Sequence, residues 1–448
     1  MGSAPYAATT QERPRLIVLT DIGGDPDDHQ SLIRLMVFSN EFDIEGLFAS
    51  ASGTPGELKQ AAVRPDLIRE VVEAYGKVRE NLAAHDPRYP SASSLLAVVR
   101  AGDPHRRLLS VGEGHDTDAS LAIVAAADRI DGRPLNIAIW GGAHDLAQAL
   151  WHVRKHRSPE ALSRFVGKLR VHSIEHQDET GPWITTSFPE LFFILSSSNA
   201  GVSLENRLPR DRRLSVYRGM YLGGDMSLTS RDWIDANVRT NPLGAIYPMK
   251  TWTAPNPHGV MKEGDTPSWF YFLSNGLSNP EHPEWGGWGG RFRHVRDRYY
   301  TDAEDNAAPG EGARSTVWRW RPDFQNAFAA RMTWCSTHRK DANHEPSAVL
   351  NGDATRRVLT LHSKVGARVH LSAKGSSDPD HDSIAYHWYL YPEPGEGSRS
   401  AVAIENAATS EASLVIPPET RELHVILEVS DSGSPPLVSY RRAVIRTD

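Results

Sequence analysis

The sequence predicts two parts: a Rossmann-like α/β domain built on a parallel sheet, then a small all-β sandwich of immunoglobulin type. Three observations carry that prediction. Apolar β-branched runs alternate with amphipathic segments from Arg15 to about Ser198. The first run, RLIVLT, is apolar almost throughout, as a parallel strand buried on both faces requires. Beyond about Gly352 helical periodicity gives way to alternating apolar and polar residues broken by Gly, Pro and Asp.

Taken in order, 15–20 reads as a strand, and DDHQSLIRLMVFSN (27–40) as a helix with an acidic start. DIEGLFASAS (43–52) is a second strand, and 64–85 a helix with apolar residues at i, i+3, i+4 spacing. The segment 119–130 is another helix. LNIAIWGG (135–142) is a strand leading into the helix HDLAQALWHVRKH (144–156). KLRVHSI (168–174) and LFFILSSS (191–198) complete the strands read from pattern. From about Asn199 to Pro346 turn residues and tryptophan accumulate, and only 321–338 reads as a helix. The expected boundaries are a disordered tail at 1–13, the α/β domain at 14–350 and the sandwich at 351–448.

Composition narrows the function. A net charge of −7 with no long Lys/Arg block argues against a protein that grips nucleic acid through its phosphates. No apolar run is long enough to span a membrane. The lone Cys335 has no partner for an intrachain disulfide. The opening MGSAPYAATTQERP lacks the pattern of a signal peptide. The compartment stays open, with secretion or a periplasmic home as the expectation, and a homo-oligomer is left open too. Eleven of the twelve tryptophans lie between Trp140 and Trp334, several among glycines. Core packing is one reading of them; rings stacked on sugars is the other.

The chemistry gathers in TDIGGDPDDHQS (20–31). Asp21 ends the first strand, Gly23 and Gly24 allow a sharp turn, and Asp27 and Asp28 open the next helix, with Asp25 between. Carboxylates that close need a positive partner. Helix N-terminal amides supply part of it, and an all-oxygen cluster favours Ca²⁺ or Mg²⁺ for the rest. The plainer alternative is a helix cap by Asp27 or Asp28.

This turn resembles the D-x-D-P-G-x-D-D signature of the nucleoside hydrolases, Ca²⁺-dependent enzymes with a Rossmann-like fold. The resemblance implies that Asp21 is the calcium-binding general base, Asp27 a sugar-hydroxyl contact and Asp28 a calcium ligand. Leu19 replaces the family's first Asp, and two extra residues lengthen the turn and add Asp25. IAIWGGAHDLAQAL is similar to the family's G-P-L-T-N strand end, which implies a ligand carbonyl at His144, with Asp145 in place of Asn. KEGDTPSW implies that Asp265 closes the site, with Gly264 where the family carries a leaving-group His.

The whole chain is similar to the Sde182-type "cellulose-binding" family, a nucleoside-hydrolase-like domain followed by a cadherin- or PKD-like sandwich. The segments DIGGDPDDHQSLIRLM, HQDETGPW and EGDTPSWFYFLSNGLSNPEHPEWGGWGGRF carry that similarity. The combined expectation is a Ca²⁺-dependent glycosidase acting on a plant-type glycan or glycoside. Asp21 serves as base, and Asp21, Asp28, His144 and Asp265 hold calcium. Asp25, Asp27, Gln177, Asp178, Trp183, Trp285 and Trp288 contact substrate. Glu263 is the preferred leaving-group acid among Glu175, His176, Asp178, His258 and Glu263. A non-catalytic carbohydrate-binding protein is the first alternative, and a nucleoside N-ribohydrolase the second. In the sandwich, Asp378, Asp380 and Asp382 read as an Asx-type turn or a second calcium loop.

Overall fold

The structure, a computed structural model, describes residues 12–51, 62–105, 107–197, 214–252, 256–307, 310–396 and 402–447. It divides into two compact units, one of 14–273 with 280–341, the other of 342–448 with 274–279. The tail expected at 1–13 lies outside the described residues except for its last two.

The larger unit is built on β1 (Arg15–Thr20), β2 (Asp43–Ala49), β3 (Val99–Ala101), β4 (Leu135–Ile139), β5 (Leu169–Ile174), β6 (Phe192–Ser196), β7 (Phe292–Arg296) and β8 (Tyr299–Asp302). They form one sheet in the order β3-β2-β1-β4-β5-β6-β8-β7. Every neighbouring pair is parallel except β7 with β8. The order reverses between β1 and β4, so a crevice opens at their carboxyl ends, where folds of this kind bind ligands.

Burial on both faces explains the continuous apolar strands. All six residues of β1 and all five of β4 are buried. Ile17, Leu19, Ile137 and Ile139 pack with Ile123, Leu146 and Leu150 from flanking helices. Residue pairing runs to Leu19 beside Ile139, and the Trp140 amide donates to the Leu19 carbonyl at 2.8 Å. β1 and β4 therefore end level with one another.

Two elements depart from the pattern reading. The long helix expected over 64–85 is two helices, Pro65–Gly76 and Arg79–His85. Gly76 ends the first, consistent with its poor helix propensity. The β7/β8 hairpin falls in text read as loop. Four of the five β7 residues are exposed, so no apolar alternation marks the strand. Its arginines suit a sheet edge that must not pair with another chain. Of the two turn glycines only Gly23 takes a left-handed conformation, at φ 109°.

β9 (Asp305–Ala307) and β10 (Gly310–Gly312) make a small ribbon in the larger unit. The smaller unit holds β11 (Leu359–Ser363), β12 (Arg368–Ser372), β13 (Ile384–Leu390), β14 (Glu411–Val415), β15 (Glu422–Asp431) and β16 (Val438–Thr447). One sheet runs β11-β16-β15-β13 and the other pairs β12 with β14. All these pairings are antiparallel except β11 with β16. Trp388 is buried between apolar residues of these strands and donates its indole N–H to the Thr409 carbonyl at 2.8 Å. In the Asp loop, Asp378 Oδ1 accepts the amides of Asp380 and Asp382 as an Asx-type turn does, while its buried Oδ2 has no hydrogen-bond partner. Among the described residues no helix is long and apolar enough to cross a membrane.

Candidate functional site

The crevice between β1 and β4 is lined by the acidic turn. Asp21, one residue beyond β1, is buried. Gly141, two residues beyond β4, lies so close that a Cβ there would come within 2.5 Å of the Asp21 side chain. Only glycine allows these strand ends to approach in this way. Thr20 organises the start of the turn: its hydroxyl accepts the Ile22 amide at 3.1 Å and donates to Asp28 Oδ1.

Asp27 and Asp28 begin the helix Asp27–Val37, yet neither caps it. Pro26 holds the N-cap position, without a side-chain cap bond. Instead Asp27 and Asp28 meet Asp265, the residue preceding the short helix Thr266–Phe270. One carboxylate oxygen from each lies within 4.8 Å of the others. Burial pushes the Asp265 carboxyl far above its usual range, and repulsion from Asp28, Asp27 and Asp21 adds to it. Asp28 is raised likewise, first by burial and then by Asp21 and Asp27. Asp265 Oδ2 is buried without a hydrogen-bond partner.

A buried oxygen with no donor, among carboxylates that repel, is what a hard cation satisfies. The donor set therefore fits a calcium-type ion. The structure brings Asp28 and Asp265 together as expected and adds Asp27, which the resemblance placed on substrate. Asp21 lies outside this tight group while acting on two of its members electrostatically. The His144 ring is buried at the start of the helix His144–His156, its Nε2 3.0 Å from the Asp103 carbonyl and 3.1 Å from Asp145 Oδ2.

Lys262 brings a cation of the chain's own. Its ammonium pairs with Asp25 and lies 3.0 Å from Asp27 Oδ2. Burial opposes that charge, but Asp27, Tyr221 and Asp25 outweigh it and hold the lysine above its ordinary range. Asp25, expected on substrate, instead accepts the Trp252 amide at 2.8 Å and carries Lys262. The residue that lengthens the turn thus arrives with its own counter-charge.

Several other expected contacts are structural. Glu263 is fully buried and paired with Arg34; one oxygen also accepts the Tyr247 hydroxyl at 2.7 Å, and the other the Thr266 hydroxyl at 3.2 Å. A carboxylate so held is an anchor between elements, not the proton donor preferred from sequence. Trp285 is buried and stacked on His282, ring centroids 4.0 Å apart. Trp288 is buried against Phe270 and Phe324. Trp183 packs on Phe188 and carries the Arg154 guanidinium over its ring. Packing, not exposure, is what the glycines around these rings permit. Gln177 donates to the Trp140 carbonyl at 2.6 Å, joining the ends of β4 and β5. Asp178 accepts the Thr180 amide at 2.9 Å at the start of the helix Thr180–Ser187, and its other oxygen accepts the Arg107 amide at 3.2 Å.

Three contributors escaped the sequence pattern. Thr20 is hidden as an ordinary β-branched strand residue, and Lys262 as one charge in a loop. Arg218 lies in the aromatic text VYRGMY, whose flanking tyrosines were the only hint. A fourth is Trp252, tied by its amide to Asp25 and, at 58%, the most exposed of the tryptophans.

The profile described as "Cellulose-binding Sde182, nucleoside hydrolase-like domain" matches residues 15–292. The chain belongs to this family. A second Sde182-type profile, "Cellulose-binding protein Sde0182, C-terminal domain", matches residues 368–447. Among solved structures, the chain is similar to a nucleoside hydrolase-related hypothetical protein from Saccharophagus degradans that is associated with carbohydrate metabolism. Identity is 32%, coverage is 98% of this chain and 100% of that one, and the TM-score is 0.81. A PKD domain from the KIAA 1837 protein aligns at 22% identity, over 23% of this chain and 87% of that one, with a TM-score of 0.17. That score is too low to support an argument. No curated protein matches.

Proposed function

We propose that this Sde182-family chain is a Ca²⁺-dependent hydrolase of glycosidic bonds, acting on a plant-type glycan or glycoside. One observation carries the reading. Asp27, Asp28 and Asp265 converge in the β1/β4 crevice, and one of their buried oxygens has no partner.

Asp27, Asp28 and Asp265 would hold the ion, with Asp21 beside them. When bound, the cation acidifies and orients a water and gathers sugar hydroxyls. Asp21, at the strand end, accepts the proton from the attacking water as general base. Thr20 fixes Asp28 in place, and Lys262 restrains Asp27. The ring of carboxylates favours the positive charge that grows on the anomeric carbon. Attack by a single water would invert that carbon. Trp252 offers an aromatic surface to a sugar ring. Glu175 and His176, at the end of β5, are the leaving-group acids that replace Glu263 in this reading.

A second reading, a carbohydrate-binding protein without catalysis, has its own support. Lys262 already neutralises part of the acidic turn, and the family is named for binding cellulose. Release of reducing sugar from plant glycans with calcium, and its loss with chelator, tests the first reading. Retention of glycan without any release favours the second.

A further inference from the structure

We propose that Arg218 receives a carboxylate of the substrate, so that the site takes an acidic sugar of the uronic-acid class. The inference rests on the same crevice as the proposed function and narrows its substrate.

Arg218 lies in the single-turn 3₁₀ helix Val216–Met220 and is 3% exposed. One Nη donates to the Tyr221 hydroxyl. The guanidinium carbon lies 4.7 Å from the Tyr217 ring centroid and 5.7 Å from that of Tyr221. Its Nε has no hydrogen-bond partner, and Glu175 acts on the guanidinium electrostatically without an ion pair to it among the described residues.

Other buried arginines show what that edge of the fork holds when filled. Arg15 grips Glu45 through Nε at 2.7 Å and Nη2 at 2.9 Å. Arg34 grips Glu263 through the same two nitrogens. A guanidinium presents this pair of donors in a plane that matches a carboxylate. In Arg218 the Nε is unpartnered. A buried charge without a directly paired anion is costly, and the tyrosine faces and the charge of Glu175 return only part of the loss.

The position points to substrate. Arg218 acts electrostatically on Asp27 and Lys262, so it borders the cluster. The Tyr217 ring lies about as close to Gly264 as Asp27 does: a Cβ on that glycine would be 3.4 Å from each. Lys262 is already engaged by Asp25 and Asp27, whereas Arg218 keeps an unpartnered Nε beside them. The surrounding carboxylates decide the anion's class. A monoanion meets half the repulsion that a dianionic phosphate would meet.

The test is calorimetric titration of the full chain with D-glucuronate and D-galacturonate, beside D-glucose and D-galactose. Each is run with saturating CaCl₂ and again in chelator, on wild type, Arg218→Gln and Arg218→Lys. Wild type is expected to bind a uronate at least about tenfold more tightly than its neutral counterpart. Arg218→Gln is expected to erase the difference. If that variant does not fold, Arg218→Lys is expected to weaken the uronate while leaving the neutral sugar unchanged. No uronate preference in wild type, or a preference that survives in a folded Arg218→Gln, overturns the proposal. Calcium binding without uronate preference defeats this inference alone. Uronate preference without calcium binding defeats only the hydrolytic reading.

Discussion

Lys262 lies 3.0 Å from Asp27 while pairing with Asp25, so one buried ammonium bridges two carboxylates of the acidic turn. Removing it leaves two neighbouring carboxylates, one of them buried, repelling each other. Lys262→Met is expected to cost about 3–5 kcal/mol, the usual penalty for breaking a buried pair. Denaturant unfolding of the variant beside wild type measures it. An unchanged midpoint would show that the turn does not depend on this lysine.

Arg34 and Glu263 make the complementary case. Glu263→Gln keeps the shape and removes the charge, and is expected to lower stability by about 3 kcal/mol. If the protein hydrolyses glycosides, activity per folded molecule and its pH profile are expected to stay near wild type. Loss of the acidic or basic limb of that profile would restore Glu263 as the proton donor.

The tryptophans separate packing from recognition. Trp288 is buried among Phe270 and Phe324, and Trp288→Ala is expected to cost about 3–5 kcal/mol without a specific loss of glycan affinity. Trp252 is largely exposed, and Trp252→Ala is expected to weaken glycan retention by about 1 kcal/mol or more with little change in melting temperature. Affinity electrophoresis and thermal melts on the same samples read both. The opposite pattern would return sugar stacking to the Trp–Gly segment.

Stability without calcium should fall as pH rises above about 6.5. Burial pushes the Asp302 carboxyl up to about 7 from an ordinary value near 3.8. Burial likewise lifts Asp28 and Asp265 well above that value, with carboxylate repulsion adding to it. A raised carboxyl favours the folded state most below its unfolded pKa, and that contribution is lost as pH climbs through the folded value. Burial holds the His29 and His172 rings down to about 4 and about 3, so both add stability as pH rises to about 6.5. In chelator, the melting temperature is therefore expected to drop between about pH 6.5 and pH 8, and calcium is expected to flatten the drop. A melting temperature that rises over that range, in chelator, would contradict the described electrostatics.

Much of this architecture was legible in the chain. β1, β4, β5 and β6 are buried on both faces, and unbroken apolar runs announce that condition. Asp21 and Asp28 could be placed because a strand end and a helix start fix their positions within a residue or two. Asp265 needed the resemblance, since nothing local shows that a loop so far along the chain returns to β1. Side-chain partners were hidden for a similar reason. Glu263 reads as a free acid until Arg34, over two hundred residues away, is seen to hold it. Trp285 and Trp288 read as exposed until the glycines beside them prove to permit close packing. β7 was concealed because an edge strand with exposed arginines carries no alternation.

The central claim is that Asp27, Asp28 and Asp265 form a calcium site. Calorimetric titration of Ca²⁺ into the full chain, beside Asp265→Asn and Asp28→Ala, tests it most directly. The account predicts one site in the β1/β4 crevice that both substitutions abolish. Calcium-free Asp265→Asn is also expected to melt above calcium-free wild type near neutral pH, because the cost of holding that carboxyl protonated in its buried place is gone. Binding that is absent from wild type, or that persists unchanged in both variants, would contradict the account.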